Sequence, residues 1–232
     1  MPTKDAAKQV LSAFSDPKVV AEYANGVRRF VPGLADLHRM TGLLLAERAP
    51  KEARVLVLGA GGGLELKALS DAYPDWKFVG VDPSEQMVAL ARRTLSSSAG
   101  VELVHGYIDD APFGPFDAAT CLLTLHFLDP VERRRTAREI RRRLKPTAPF
   151  VAAHGSFAQG AGERGLWLSR YAAYAIASGA DPDRVNKARA AVEANMPMLS
   201  PEEDEEILRK AGFSDVSLFF AAFTWRGWIA HA

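Results

Sequence analysis

The chain has 232 residues, 48% of them hydrophobic, and its 29 lysines and arginines against 28 aspartates and glutamates leave a formal net charge of +1. That length suits one α/β domain with additions, and near-neutrality removes a whole-surface electrostatic case for nucleic acid or membrane as partner. The single cysteine, Cys121, sits in an apolar run, so it forms no internal disulfide and fits a reducing cytoplasm. The N-terminal residues lack a signal peptide's apolar core and no apolar segment approaches a bilayer span, so a soluble, cytoplasmic protein is expected.

Residues 5–14 and 17–31 carry apolar positions at helical spacing, with Asp16 placed as an N-cap and Pro17 at the first helical position. Pro32-Gly33 interrupts them, and a helix resumes over 34–49 through Leu37, Met40, Leu43, Leu44 and Leu45. These first 50 residues stand outside the repeating unit that follows. From Arg54 strands and helices alternate: strands at 54–58, 77–81, 101–105, 116–123 and 150–154, helices at 63–72, 84–95 and 130–144. Such alternation predicts a parallel sheet covered on both faces. After His154 the rhythm breaks into a loop, a helix through Leu166, Leu168, Tyr171, Tyr174 and Ile176, and another over 183–195. An insertion near 157–196 is positioned to cover a site. Ser200-Pro201-Glu202-Glu203 opens a last helix that stops at Gly212, and two strands, 216–220 and 223–225, close the domain. Arg133-Arg134-Arg135 and Arg141-Arg142-Arg143 flank one helix; their spacing reads as a solvated face or as an RNA-contacting patch.

The chemistry concentrates at Arg54-Val55-Leu56-Val57-Leu58-Gly59-Ala60-Gly61-Gly62-Gly63, a buried strand that runs into glycines and then a helix. Glycines there let backbone N–H groups approach a ligand. About 20 residues later the second strand ends in Asp82, placed to accept hydrogen bonds from both ribose hydroxyls of a nucleoside. Leu64 stands where a dinucleotide fingerprint needs glycine or alanine, and no G-x-x-x-x-G-K-[ST] occurs, so neither a diphosphate nor a triphosphate cradle is supported.

The glycine loop resembles motif I of the class I S-adenosylmethionine (SAM) methyltransferases, usually V-L-D-L-G-x-G-x-G, with Val57 in place of the aspartate. With Gly80-Val81-Asp82-Pro83-Ser84, Met87 and the run Leu122 to Pro130, the likeness extends from about residue 30 to the end of the sequence. Within that superfamily the pattern is similar to the carboxy-S-adenosyl-L-methionine synthases of tRNA wobble-uridine modification, through Val31-Pro32-Gly33, Thr124 to Pro130, Glu132-Arg133, Arg189 and Arg209 to Phe213. Leu34 and Leu122 replace a tyrosine and an asparagine that touch the cofactor in that family, and Arg189 matches the arginine that grips the extra carboxylate. The resemblance implies a Rossmann-like α/β fold: a mostly parallel seven-stranded sheet, helices on both faces and a C-terminal antiparallel hairpin strand. It also implies N-terminal helices over 1–50 forming part of a lid, a SAM-binding domain over 51–232, and a homodimer.

The implied cofactor contacts are the Gly59, Ala60, Gly61 and Gly63 backbone beneath the methionine moiety, with the Gly59 and Leu122 carbonyls open to its ammonium. Asp82 beside Pro83 would hold the ribose, and Met87 and Ile108 would sandwich adenine, although Met87 also reads as an ordinary core residue. Tyr107 stands where an acid normally meets the adenine amino group; Asp109 either substitutes or serves the turn before Pro112. His126 and His154, at the ends of adjacent strands, are base candidates as well as structural histidines. Tyr23, Arg28, His38, Tyr171, Tyr174 and Arg189 are candidates for an acceptor pocket. The five histidines lack cysteine partners and H-x-x-x-H spacing, so no metal is expected. The expected activity is methyl transfer from SAM, leaving S-adenosylhomocysteine (SAH), to a small-molecule substrate. The alternatives are synthesis of carboxylated SAM and a non-catalytic SAM-binding subunit.

Overall fold

The computed structural model describes residues 17–232; the helix expected over 5–14 and the Asp16 cap lie outside the described residues. Two helices, α1 (Pro17–Phe30) and α2 (Leu34–Ala46), lead into β1 (Arg54–Leu58), α3 (Leu64–Ala72), β2 (Lys77–Asp82), α4 (Glu85–Thr94) and β3 (Val101–His105). Then follow β4 (Ala118–Leu122), α5 (Pro130–Arg142), β5 (Pro149–Gly155), α6 (Glu163–Ala177), α7 (Pro182–Asn195), α8 (Pro201–Lys210), β6 (Ser214–Ala222) and β7 (Trp225–His231). The seven strands form one sheet in the order β3-β2-β1-β4-β5-β7-β6. Every neighbouring pair is parallel except those made by β7, which runs antiparallel to both β5 and β6.

Parallel strands buried on both faces need continuous apolar sequence, and Val55 to Leu58 supply it. Alternation splits that run between two cores. Val55 and Val57 face a layer holding Leu37 and Leu45 of α2, Leu66 and Leu69 of α3 and Ala91 of α4. Leu56 and Leu58 face Ala137 and Ile140 of α5 and Leu208 of α8. A satellite cluster of Ala172, Ala175 and Val185 joins α6 to α7, and Phe30 packs against it, its ring 5.3 Å from that of Tyr171. The inserted helices therefore back α1. No helix among the described residues is long and apolar enough to cross a membrane.

Several ends differ from the sequence-based expectation for local reasons. Helix α2 stops at Ala46 because Pro50 disfavours helical backbone just before it. Strand β4 is shorter than 116–123 because Phe116 makes only an isolated bridge to Leu144 and Leu123 has φ 55°. Phe223 and Thr224, expected in a strand, are the turn: Phe223 has φ 50°, and the strand begins at Trp225. The arginine triplets are not uniformly solvated either, since Arg133 and Arg143 are buried.

Candidate active site

The carboxyl ends of β1, β2 and β4 open onto a cavity of about 500 Å³, lined by both the glycine loop and residues of α1 and α2. At the β1 end the loop folds back on β2, with the Gly59 and Ala60 N–H groups donating to the Val81 carbonyl at 2.8 and 3.0 Å. Gly59 has φ 80°, and a Cβ there would come within 1.9 Å of Thr124 Oγ1, so only glycine lets the loop pass beneath the β4 end. Thr124 Oγ1 in turn donates to the Leu122 carbonyl at 2.9 Å.

Asp82 closes the tip of β2. Its Oδ2 accepts from the Gly61 N–H at 2.8 Å and its Oδ1 from the Ser84 N–H at 2.9 Å, which locks the carboxylate while leaving each oxygen a further lone pair. Burial raises this carboxyl above its ordinary value; the two N–H donors and His105 oppose that shift. Ser84 then caps α4 by accepting from the Met87 N–H, and this brings Met87, buried, into the same wall as Ile108. A fixed acid, a side-chain-free loop and two apolar flanks fit a ribose, an amino-acid tail and an adenine ring.

Of the residues singled out from sequence, the wall includes Gly59, Ala60, Gly61, Asp82, Pro83, Met87, Tyr107, Ile108, Leu122, Tyr23 and His38. The others lie elsewhere. Gly63, with φ 85°, lets α3 approach α4, because a Cβ would stand 3.1 Å from the Ala91 Cα. Asp109 is held by Arg135, whose Nη1 lies 3.0 Å from both its oxygens. Arg28 is exposed outside the wall, Tyr171 stacks on Phe30, Tyr174 tilts onto Phe223, and Arg189 is half-buried on α7. The inserted segment does not line the cavity with its tyrosines; Pro197, just beyond it, is what reaches the wall.

His126 and His154, base candidates as well as structural histidines in the sequence, both sit in structural settings. His154 is fully buried, with Nε2 3.1 Å from Asp204 Oδ1, and Arg133 of α5 binds the same carboxylate. Burial would raise Asp204, but His154 and Arg133 outweigh it and hold the group at about 2. His126 packs edge-on against Trp225, accepts weakly from the Gly155 N–H at 3.4 Å, and is depressed well below its ordinary value, first by burial and then by His154 and Arg133. Neither imidazole is part of the cavity wall. Both lie near the carboxyl edge of the sheet, but the His126 ring packs on Trp225 of β7 and the His154 ring meets Asp204 of α8.

Residues to which the sequence assigned no site role also line the wall: Glu65 in the first turn of α3, Leu123, Phe127 and Leu128 after β4, and Glu132 with Arg135 on α5. Glu65 is 6% exposed and Burial pushes it up to about 7, opposed by the nearby Thr120 hydroxyl. His38 is held down to about 4, by burial first and then by Arg28, and so stands neutral at pH 7. Burial and the charges of Asp82 and Glu65 push Tyr23 to about 12.

Residues 55–147 match the family described as a methyltransferase domain. Over that stretch the chain is similar to a methyltransferase domain. Its fold is shared with solved structures of that class. PigF with SAH superimposes with a TM-score of 0.67 at 18% identity, covering 94% of this chain and 61% of PigF. A SAM-dependent methyltransferase from Aquifex aeolicus gives a TM-score of 0.60 at 18% identity, covering 96% and 97% of the two chains. The chain thus spans about three fifths of PigF but nearly all of the Aquifex protein. Among curated sequences, the carboxy-S-adenosyl-L-methionine synthase of Chromohalobacter salexigens is 29% identical over 220 residues, 93% of this chain and 82% of its own length. The matched stretch, residues 55–147, includes both the glycine loop and Asp82.

Proposed function

We propose that the protein transfers a methyl group from SAM to a small, largely apolar acceptor. One observation carries this reading: the glycine loop and Asp82 share a single cavity with an apolar wall of Leu34, Leu123, Phe127, Leu128 and Pro197. A cofactor held at the glycine end would leave that apolar end for a second molecule, in a volume ordinary for small-ligand pockets. When bound, SAM supplies an electrophilic methyl that an acceptor takes by in-line displacement. What the protein must provide is chiefly position. Asp82 fixes the sugar, Met87 and Ile108 flank the base, and the apolar wall excludes water and orients the acceptor. His38, neutral at pH 7, is the imidazole in the wall and would take the proton of a hydroxyl or amine acceptor. Helix α1, backed by α6 and α7, belongs to this reading as the lid, and a cytoplasmic setting keeps Cys121 a thiol. Titration calorimetry with SAM and SAH tests it: binding is expected for the native chain and is abolished in Asp82→Ala.

The synthesis of carboxylated SAM is a second reading, supported by the 29% identity over nearly the whole chain to an enzyme of that name. Set against it are Leu34 and Leu122 in the wall, and Arg189 outside it. The mass of the cofactor that copurifies decides between them, an added carboxylate favouring the synthase.

A further inference from the structure

Among the described residues four carboxylates reach the cavity wall, and three of them are already committed. Asp82 holds the Gly61 and Ser84 N–H groups, Asp129 caps α5 through the Val131 and Glu132 N–H groups, and Glu132 pairs with Arg135. Glu65 has none of these ties. Its Oε1 is buried without a hydrogen-bond partner among the described residues, and it forms no ion pair with any of them. Among the described residues the one cation of the wall is Arg135, which is spent on Asp109 and Glu132. An unpaired carboxylate in such a place is costly unless a cation arrives to meet it.

The location says which cation. Thr120, whose hydroxyl neighbours Glu65, pairs in register with Val57, so the carboxylate stands over the junction of β1 and β4 beneath the glycine loop. In the sheet β1 stands between β4 and β2, and Met87 and Ile108 follow β2 and β3, so that junction lies across β1 from those flanks. Of the two backbone carbonyls expected to meet an ammonium there, that of Leu122 already takes the Thr124 hydroxyl. We propose that Glu65 receives the α-ammonium of the cofactor's amino-acid tail, supplying from α3 the negative charge that Val57 does not supply from β1. The inference rests on the crevice being a SAM site. An ammonium brought against Glu65 forms a charge-assisted hydrogen bond in a dry setting.

Calorimetry at pH 8 with SAM, SAH and methylthioadenosine, which lacks the amino-acid tail, tests this on the native chain and Glu65→Gln. The expected result is an SAH and SAM affinity lowered about 10–100-fold by the substitution with methylthioadenosine binding unchanged. Adding Val57→Asp to Glu65→Gln should restore part of the SAH affinity. Equal losses for all three ligands would make Glu65 a support of the cradle and overturn the proposal, as would no loss at all. A loss for SAM that spares SAH would put the sulfonium against Glu65 and also overturn it. Should Glu65→Gln fail to fold, Glu65→Asp keeps the charge but retracts it, and must weaken SAH without weakening methylthioadenosine. A native chain that binds none of the three removes the SAM reading itself, a failure distinct from those of the variant.

Discussion

An acid in the first turn of a helix is ordinarily read as a solvent-facing partner of the helix's positive end, which is how a glutamate two residues after a glycine loop escapes notice in a sequence. Glu65 becomes visible only once the loop is folded and the register of β1 with β4 places Thr120 beside it. Asp82 is the contrary case, since its distance from the glycines and its position at a strand end are both one-dimensional facts. His126 and His154 read from the sequence either as bases or as structural histidines, and the sequence alone does not choose between them. Chain position puts them at the active edge, but packing against Trp225 and Asp204 turns their rings away from it. The buried Glu65 also has a pH signature. Its folded value, about 7, lies above the ordinary 4.5, so its contribution to stability is complete below pH 4.5 and is lost as pH rises through 7. Among the described residues the groups around it, Tyr23, Thr120 and Cys121, include no cation to reverse that sign. Without ligand, the native chain should lose on the order of 2–3 kcal/mol more than Glu65→Gln between pH 5 and pH 8. Denaturant titrations of both at the two pH values measure it, and parallel behaviour would mean that Glu65 is not ionising inside the fold.

Helix α5 illustrates how far a charge pattern can mislead. Its arginines look like one basic face, yet the structure divides them by task. Arg133 is fully buried, binding Asp204 of α8 and donating to the Leu128 and Pro197 carbonyls at 3.2 and 2.9 Å. Arg135 reaches Asp109, and Arg142 and Arg143 hold Glu139. Because Leu128 and Pro197 belong to the cavity wall, the Arg133–Asp204 pair also sets the rim where the acceptor is proposed to sit. Arg133→Met would leave Asp204 buried with His154 alone, and a loss of about 3–5 kcal/mol is expected. Arg133→Met with Asp204→Leu should recover much of it, as removing both charges ends the desolvation cost. Guanidinium unfolding of the two variants gives the comparison, and a single variant as stable as the native chain would contradict it. The start of α8, by contrast, was legible because its cap is written in the sequence: Ser200 accepts the Glu203 N–H as its position promises.

At the scale of the whole molecule the alternation of strands and helices carries the α/β class, and the glycine loop with Asp82 points to the crossover between β1 and β4 as the site. What the alternation does not carry is which surfaces the added helices cover. The insertion looked like a pocket wall and instead braces α1, because Phe30 and Tyr171 meet face to face and Ala172, Ala175 and Val185 close the gap beneath them. The terminal hairpin was legible as a hairpin but not in extent, since Phe223 and Thr224 read as strand residues by type. Strand β7 bears a further burden. It is seated between β5 and β6 although it follows both in the chain, and its Trp225 indole donates to the Phe30 carbonyl of α1 at 2.9 Å. During synthesis the flank of β5 therefore waits, bare of its neighbour, until residues 225–231 leave the ribosome. A nascent chain stalled short of them would present a raw apolar margin for chaperones or for sister polypeptides to seize.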